Sequence, residues 1–183
     1  MATASRKTPA APTKRASSPA SQEATALLKA DHRRVSDLFE QYEKSRSTAK
    51  KKTLVTSICM ELGIHAKVEE EIFYPAVKTA LKDKEMVPEA TVEHATLKEL
   101  IAQVEGKEPD GEMFDAKIKV MSEYVKHHVK EEETEMFPKA RKSKLDMKAL
   151  GAQLAARQEE LKASWPLSED KPGVLDRVVD AMS

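Results

Sequence analysis

Two stretches of the chain carry histidine and glutamate at matched positions. Residues 65–75 read HAKVEEEIFYP, and residues 128–138 read HVKEEETEMFP. In each, a glutamate follows the first histidine by four residues, so both side chains lie on one face of a helix. Imidazole and carboxylate together suit iron, zinc or manganese better than calcium or magnesium. The repetition has two explanations: a coincidence of glutamate-rich surface helices, or a two-metal site built from two copies of one unit.

The spacing between the copies favours the two-metal site. The chain reads as two helix pairs, in which the first helix gives a histidine and the second gives a histidine and a glutamate. The second-helix histidines, glutamates and prolines are all separated by the same interval, and the interval between the first-helix histidines is shorter by a single position. Two such hairpins about a pseudo-twofold axis would face four imidazoles and two carboxylates across the interior. The candidate metal ligands are His32, His65, Glu69, His94, His128 and Glu132.

The chemistry of this ligand set follows from its atoms. A carboxylate has two oxygens, so each glutamate can bridge two cations. Two metals with two histidines each and two shared carboxylates would keep open coordination positions. Those positions can hold water, hydroxide, an oxo bridge or dioxygen.

Apolar stripes with helical spacing place one candidate histidine on each of four helices. This pattern predicts an all-α fold, an antiparallel up-down four-helix bundle. Pro75 and Pro138 are expected to kink or end the second and fourth helices. A further amphipathic segment from about Leu145 to Ala163 predicts an additional C-terminal helix. The stripes are Leu28, His32, Val35, Phe39 and Tyr42; Leu54, Ile58, His65, Glu69 and Ile72; His94, Leu97, Ile101 and Val104; and Phe114, Ile118, Met121, Val125, His128 and Glu132.

Composition gives the domain organisation and excludes several classes of partner. Only 4% of the residues are aromatic and five are glycine, which favours helices over sheets. The formal net charge is +0, so neither nucleic acid nor a membrane surface is expected as a partner. No apolar run is long enough for a membrane span. The single Cys59 is expected to be a core residue and fits a reducing, cytoplasmic location.

Four segments are predicted along the chain. Residues 1–22 are rich in Ala, Ser and Pro with basic residues and no acid, which predicts a disordered tail. Residues 23–140 form the bundle. Residues 141–165 form a fifth helix that packs on it, and 166–183 form a C-terminal tail.

The quoted pieces resemble the hemerythrin family, in its broad group of HHE cation-binding domains. They are DHRRV at 31–35, HAKVEEEIFYP at 65–75, EHATLKEL at 93–100 and HHVKEEETEMFP at 127–138. The resemblance covers roughly residues 23–140, and LGAQLAARQEEL resembles an extension of bacterial members. It implies a four-helix bundle that holds a non-haem di-iron centre bridged by two carboxylates. Its ligands would be His32, His65, Glu69, His94, His128 and Glu132.

One departure from the family pattern lies in the third helix. Oxygen-carrying hemerythrins have a fifth histidine one turn after the third-helix histidine, and here that position is Lys98. A protonated lysine cannot ligate a metal. Three alternatives remain: one iron has fewer ligands, Lys98 points aside, or a group such as Glu69, Glu70 or Tyr42 replaces the histidine. Reversible oxygen carriage is therefore not the expected role.

The second departure lies in the fourth helix. Oxygen carriers place the carboxylate five residues after the histidine, whereas Glu132 follows His128 by four. His127 would restore the longer step, but it lies on the flank of the stripe, so His128 is the preferred ligand. Glu70, Glu131 and Glu133 are expected to be solvated or to support the ligands. Asp31 either orients a ligand histidine, caps the helix or is exposed.

Three functions are consistent with these residues. The first is a hemerythrin-like protein with two Fe ions (oxo- or hydroxo- and carboxylate-bridged, with Mn or Zn as other metals) that interacts with dioxygen, peroxide or nitric oxide, or holds iron. Its role would be sensing, storage or stress protection. The alternative is a di-iron enzyme that disproportionates or reduces peroxide. The third is a metal-free scaffold with structural histidines. Either a monomer or a homodimer is consistent with the sequence.

Overall fold

The computed structural model describes residues 22–165, and these form helices with no strand among them. Two short π-helical turns interrupt the second and fourth helices. Four long helices and one C-terminal helix result, which confirms the predicted all-α bundle with an additional helix. The elements are α1 Ala24–Lys44, α2 Thr48–Val68, π1 Glu69–Phe73, α3 Tyr74–Leu81, α4 Met86–Ala102, α5 Glu112–Glu131, π2 Glu132–Met136, α6 Phe137–Lys142 and α7 Met147–Ser164.

The predicted tails, 1–22 and 166–183, lie outside the described residues apart from Gln22. None of the described helices is long and apolar enough to cross a membrane.

Polar side chains and glycines set the helix ends. The hydroxyl of Ser47 accepts a hydrogen bond from the Lys50 amide at the start of α2. The carboxylate of Asp146 accepts two amide hydrogen bonds at the start of α7. Both residues are among the preferred N-caps because a side-chain oxygen satisfies amides that lack an intrahelical acceptor. Between α4 and α5 the chain turns through Gly106, whose φ of 66° favours glycine.

The apolar core has two parts, and the candidate ligands lie between them. One cluster includes Leu28, Phe73, Phe137 and Leu154. The other includes Val35, Ile58, Ile118 and Met121. Along each long helix, the candidate histidine separates residues of one cluster from residues of the other. Each fully buried Leu or Phe contributes about 1.5–3 kcal/mol, and this offsets the cost of burying polar groups between the clusters.

The two prolines do not end their helices. The backbone widens into a π turn immediately before each of them, and the helix then continues as α3 or α6. In π1 the Tyr74 amide donates to the Glu69 carbonyl, five residues back. Each π turn inserts one extra residue and shifts the buried face by one position. Ile72, which the helical period placed on the stripe, is only partly buried, whereas Phe73 and Tyr74 are 0% and 2% exposed.

Helix α7 covers one side of the bundle. It packs on α1, α2 and π1, and its own residues Leu154 and Gln158 are buried. Gly151 lies against the start of α1, where a Cβ atom would come within 2.3 Å of the Gln22 carbonyl oxygen. The close approach of these two backbones therefore requires glycine at position 151.

Candidate metal centre

Four buried histidines face one another in two pairs. His32 and His65 come from α1 and α2, and their Nε2 atoms are 3.1 Å apart. His94 and His128 come from α4 and α5, and their Nε2 atoms are also 3.1 Å apart. All four side chains are at most 8% exposed. Within each pair, both imidazoles are close enough to contact one cation.

Two buried glutamates link the pairs. Glu69 Oε2 lies 3.2 Å from His65 Nε2 and 3.4 Å from His94 Nε2. Glu132 Oε2 lies 3.3 Å from His32 Nε2 and 3.6 Å from His128 Nε2. Each carboxylate thus reaches one histidine of either pair, which is the arrangement that two bridged cations require. The structure therefore brings together all six residues that the sequence predicted as ligands.

A second carboxylate lies beside the outward-facing Nδ1 atom of every histidine. Such a contact fixes the ring so that Nε2 faces the interior, and it makes the imidazole a stronger ligand. The four contacts follow the repeat, since each acid in the first copy has an acidic counterpart in the second. They are His32 to Glu133 at 2.9 Å, His94 to Glu70 at 3.1 Å, His128 to Glu93 at 2.6 Å and His65 to Asp31 at 3.7 Å.

The polar atoms of the cluster leave room for a cation. Glu69 Oε1 and Glu132 Oε2 are buried without an aligned hydrogen-bond donor. His65 Nδ1 is also buried without a hydrogen-bond partner. A buried carboxylate oxygen without a partner is costly, and a metal ion removes that cost. One atom each from His32, His65, Glu69 and Glu132 lie within 4.8 Å of one another, and so do atoms of Glu69, His94 and His128. The donor set and its unpartnered oxygens fit a pair of cations.

The pKa shifts in the cluster reflect the same contacts between histidines and carboxylates. Burial opposes a charge on His65, but the nearby Glu69 and Asp31 outweigh it and raise the pKa of His65 well above its ordinary value. Burial likewise opposes a charge on His94, but contacts with Glu69 and Glu70 raise its pKa to about 9. Burial alone would raise the pKa of Glu69, but the charges of His65 and His94 lower it well below its ordinary range. In the metal-free protein, protons on His65 and His94 thus balance the charge of Glu69.

Tyr74 is a component of the site that the helical period does not predict. Its hydroxyl lies 2.9 Å from Glu132 Oε1, 3.3 Å from Glu69 Oε2 and 3.2 Å from His94 Nε2, so its single proton is directed to Glu132. Burial and the two carboxylates raise the pKa of the phenol well above its ordinary value. A π turn places residue 74 over residue 69, whereas α-helical steps leave it off the face. The signal in the sequence was the FYP of the first copy, which becomes MFP in the second.

The two copies are therefore not equivalent at this position. Phe137 occupies the place in the second copy that Tyr74 has in the first. Its ring stacks on the His32 imidazole with centroids 5.7 Å apart. One end of the cluster thus has a phenol hydroxyl among the ligands, whereas the other has an apolar ring.

Comparison with known proteins identifies the family. The sequence-family model of the hemerythrin HHE cation binding domain matches residues 23–140 of this chain. The chain belongs to the hemerythrin family. A solved structure of a hemerythrin HHE cation binding domain-containing protein from Mycobacterium kansasii has the same fold, with a TM-score of 0.67 and 22% identity. The match covers 78% of this chain and 89% of that one.

A curated relative is named as a DNA nickase from a Nostoc species. It is 27% identical over 111 residues, which are 61% of this chain but only 31% of the relative. The chain thus spans about a third of that protein's length. What the family match establishes is a cation-binding domain.

Relative to the hemerythrin pattern, the structure locates both departures. Lys98 does not enter the cluster, because its Nζ is 2.7 Å from each oxygen of Glu70. Of the three alternatives for this position, the structure agrees with the one in which Lys98 points away from the cluster. Tyr42 donates to Asp115, about 15 Å along α1 from the cluster histidine, so it supplies no ligand. In the fourth helix His128 is buried, whereas the His127 side chain is 62% exposed.

A small cavity adjoins the four imidazoles. Apolar side chains close it, and its volume of about 10 Å³ is near the minimum for one water molecule. The space beside the hemerythrin cluster is therefore suited to a very small, weakly polar ligand. The apolar side chains are those of Val35, Leu62, Leu97, Val125 and Val129.

Proposed function

We propose that the protein holds two iron ions and binds a small molecule such as dioxygen, peroxide or nitric oxide at them. The ligands would be His32, His65, Glu69, His94, His128 and Glu132. The observation that carries the proposal is the pair of carboxylates, each within 3.6 Å of one histidine from either pair. Manganese and zinc accept the same donor types and are the other candidates for the site.

The surrounding residues have definable tasks in such a centre. Glu70, Glu93 and Glu133 hold three of the imidazole rings in place through Nδ1, and Asp31 lies 3.7 Å from Nδ1 of the fourth, His65. Tyr74 holds one proton at its Oη atom, next to Glu132 and Glu69. Iron, when bound, would supply the open coordination positions and the electrons that these small molecules require. The apolar cavity excludes bulk water and larger substrates.

The small cavity supports a role in sensing, storage or protection against oxidative or nitrosative stress. Lys98 is paired with Glu70 and gives no fifth nitrogen ligand. The centre would therefore be more weighted towards carboxylates than that of an oxygen carrier.

A second candidate is an enzyme that converts two peroxide molecules to dioxygen and two water molecules. The observation that favours it is Tyr74, a proton donor inside the cluster that hydrogen-bonds to Glu132 and lies 3.2 Å from His94 Nε2. General acid–base catalysis by a positioned group contributes typically 10²–10⁴-fold.

Turnover distinguishes the two functions. Iron-loaded protein is mixed with excess hydrogen peroxide in an oxygen-electrode cell, and the dioxygen released is compared with the protein present. If the protein only binds its ligand, we expect dioxygen release or adduct formation to stop at about one molecule per di-iron centre. The enzyme predicts many turnovers, reduced about tenfold or more in Tyr74→Phe. Tyr42→Phe removes a hydroxyl far from the cluster and is the matched control.

Nitric oxide supplies the second half of the test. Under anaerobic conditions the reduced, iron-loaded protein should give a visible or infrared adduct signal that saturates at a fixed ratio to iron. Iron-loaded protein with neither peroxide turnover nor a nitric oxide adduct would leave iron storage as the only part of the proposal that stands.

A further inference from the structure

An acidic pocket opens beside the proposed di-iron site, between α4 and the end of α5. Its volume is about 70 Å³, and none of the residues that line it is a lysine or an arginine. Its inner wall consists of His128 and Glu132, two of the proposed ligands. The acidic side chains around it are Glu89, Glu93, Glu131 and Glu135.

Two residues that line this pocket, Glu93 and Glu131, form a second group with metal-ligand chemistry together with His127. Glu93, His127 and Glu131 each offer an atom within 4.8 Å of the others. His127 Nε2 lies 3.2 Å from Glu131 Oε1 and 3.9 Å from Glu93 Oε1. One imidazole with two carboxylates is a donor set that suits a divalent transition-metal cation. His127 is 62% exposed and Glu131 40% exposed, so the group is open to solvent.

Glu93 joins this outer group to the proposed inner site. Its Oε1 faces His127, whereas its Oε2 lies 2.6 Å from His128 Nδ1. The same carboxylate thus contacts the outer histidine and supports an inner one. Glu132 lies at the inner end of the pocket, where it is 2% exposed and its Oε2 faces the inner histidines without an aligned hydrogen-bond donor.

The repeat shows that this outer group is specific to one side of the molecule. In the first copy, the counterparts of His127 and Glu131 are Ile64 and Val68. Ile64 and Val68 are 2% and 0% exposed. On that side α7 covers the bundle, and Gln158 donates to Asp31, the counterpart of Glu93. Within residues 22–165, one of the two sides therefore gives a cation a polar route between solvent and the cluster, and the other side is closed by apolar packing.

We propose that Glu93, His127 and Glu131 form an entry site that captures a divalent transition-metal cation and passes it to the inner site. The inference rests on the proposed function, since it presupposes that the inner cluster takes up metal. The acidic pocket raises the local concentration of cations and so speeds capture. The flexible Glu131 side chain and the shared Glu93 carboxylate give the cation successive oxygen ligands on its way to Glu132.

The test separates the rate of metal uptake from the final metal content. Metal-free protein is mixed anaerobically with Fe²⁺, and free iron is removed with a chelator after different times. The variant is His127→Ala combined with Glu131→Gln, at two solvent-accessible positions that are not proposed inner ligands. Glu123→Gln removes an equal charge from an exposed position of the same helix and is the control.

The expected result is uptake slowed about tenfold or more in the double variant, at the same final iron content as the unaltered protein. The control variant should take up iron at the unaltered rate. Equal uptake rates in all three proteins would overturn the entry site while the proposed function stands. A double variant that loses iron at equilibrium would make these residues permanent ligands and overturn a transit role. If the unaltered protein binds no iron, the proposed function fails, and the entry site fails with it.

Discussion

At the scale of single residues, the contrast between neighbouring histidines is the sharpest feature of the fourth helix. His128 faces the cluster and His127 faces solvent, although both are adjacent to acidic side chains. The residue equivalent to His128 in the first copy is His65, which is also buried and lies between Glu69 and Asp31. Adjacent positions on a helix point about 100° apart, so His127 and His128 cannot both face the inner cluster.

This contrast gives a mutational prediction. His65→Ala and His128→Ala each remove an inward-facing nitrogen, and we expect both to lose most of the bound metal. His127→Ala should keep nearly the full metal content at equilibrium. Metal per chain, measured by elemental analysis on folded protein, checks the prediction. Equal losses in all three variants would mean that the fourth helix has a different register in solution.

The protonation of the histidines gives a second prediction at this scale. His94 has a pKa of about 9 against an ordinary value of 6.5, so the metal-free protein holds that proton at pH 7. The sign follows from linkage: a raised pKa stabilises the fold fully below pH 6.5, and this contribution is lost as the pH rises through 9. A metal must displace the proton, since only neutral imidazole is a ligand.

We therefore expect metal binding at pH 7 to release protons, and metal affinity to rise between pH 6.5 and 9. Calorimetric titration in two buffers with different ionisation enthalpies measures the release. Binding heats that do not depend on the buffer would show that the histidines are already neutral in the metal-free protein.

At the scale of helices, the sequence predicted the elements well, because each apolar stripe keeps one period over several turns. Val35, Phe39, Ile58, Leu97 and Ile118 all have the predicted burial. The six candidate ligands could be placed for the same reason, since each histidine replaces an apolar residue in its stripe. Solvent-facing residues do not recur with such a period, so the sequence does not indicate their positions in the same way.

What the sequence did not predict follows from the π turns. A uniform 3.6-residue period cannot show the single inserted residue that turns Tyr74 inwards and Ile72 partly outwards. The prolines were predicted to kink or end their helices; each follows a widened π turn, and the helix continues beyond it. Among the four outer carboxylates, Asp31, Glu70 and Glu133 were considered as supports for the ligands, whereas Glu93 was not, because these contacts depend on how the helices pack. The contact of Glu70 with Lys98 likewise needs the packing of α4 against the second helix.

The docking of α7 gives a prediction for a whole helix. Gly151→Ala places a methyl group against the backbone of residues 22–24, which cannot move as a flexible side chain does. Such overpacking costs typically about 1–3 kcal/mol, so we expect a lower free energy of unfolding by that amount. Chemical denaturation measures it. Ala156→Gly, at an exposed site of the same helix, controls for helix propensity, and an unchanged midpoint for Gly151→Ala would contradict the close packing.

At the scale of the molecule, the two copies of the helix pair are similar in ligands but different in surroundings. On one side α7 covers the bundle, and its Gln158 donates a hydrogen bond to Asp31. On the other side an acidic pocket is lined by Glu93. Phe137 and Tyr74 distinguish the two ends of the cluster. A duplicated scaffold can thus present two similar sets of metal-ligand side chains and still give them different access and different hydrogen bonding.

Several properties of the whole molecule stay predictions. The cytoplasmic location and the lack of a nucleic-acid partner were inferred from composition and cysteine content. The choice between monomer and homodimer stays open in the same way.

The central claim is that the six converging residues hold two metal ions, and counting the ions tests it most directly. Protein expressed with iron is purified, and iron per folded chain is measured by elemental analysis together with the optical spectrum. The account predicts about two irons per chain, the number held by known carboxylate-bridged di-iron bundles. A chain that binds no metal, even after anaerobic loading with Fe²⁺, Mn²⁺ or Zn²⁺, would contradict it.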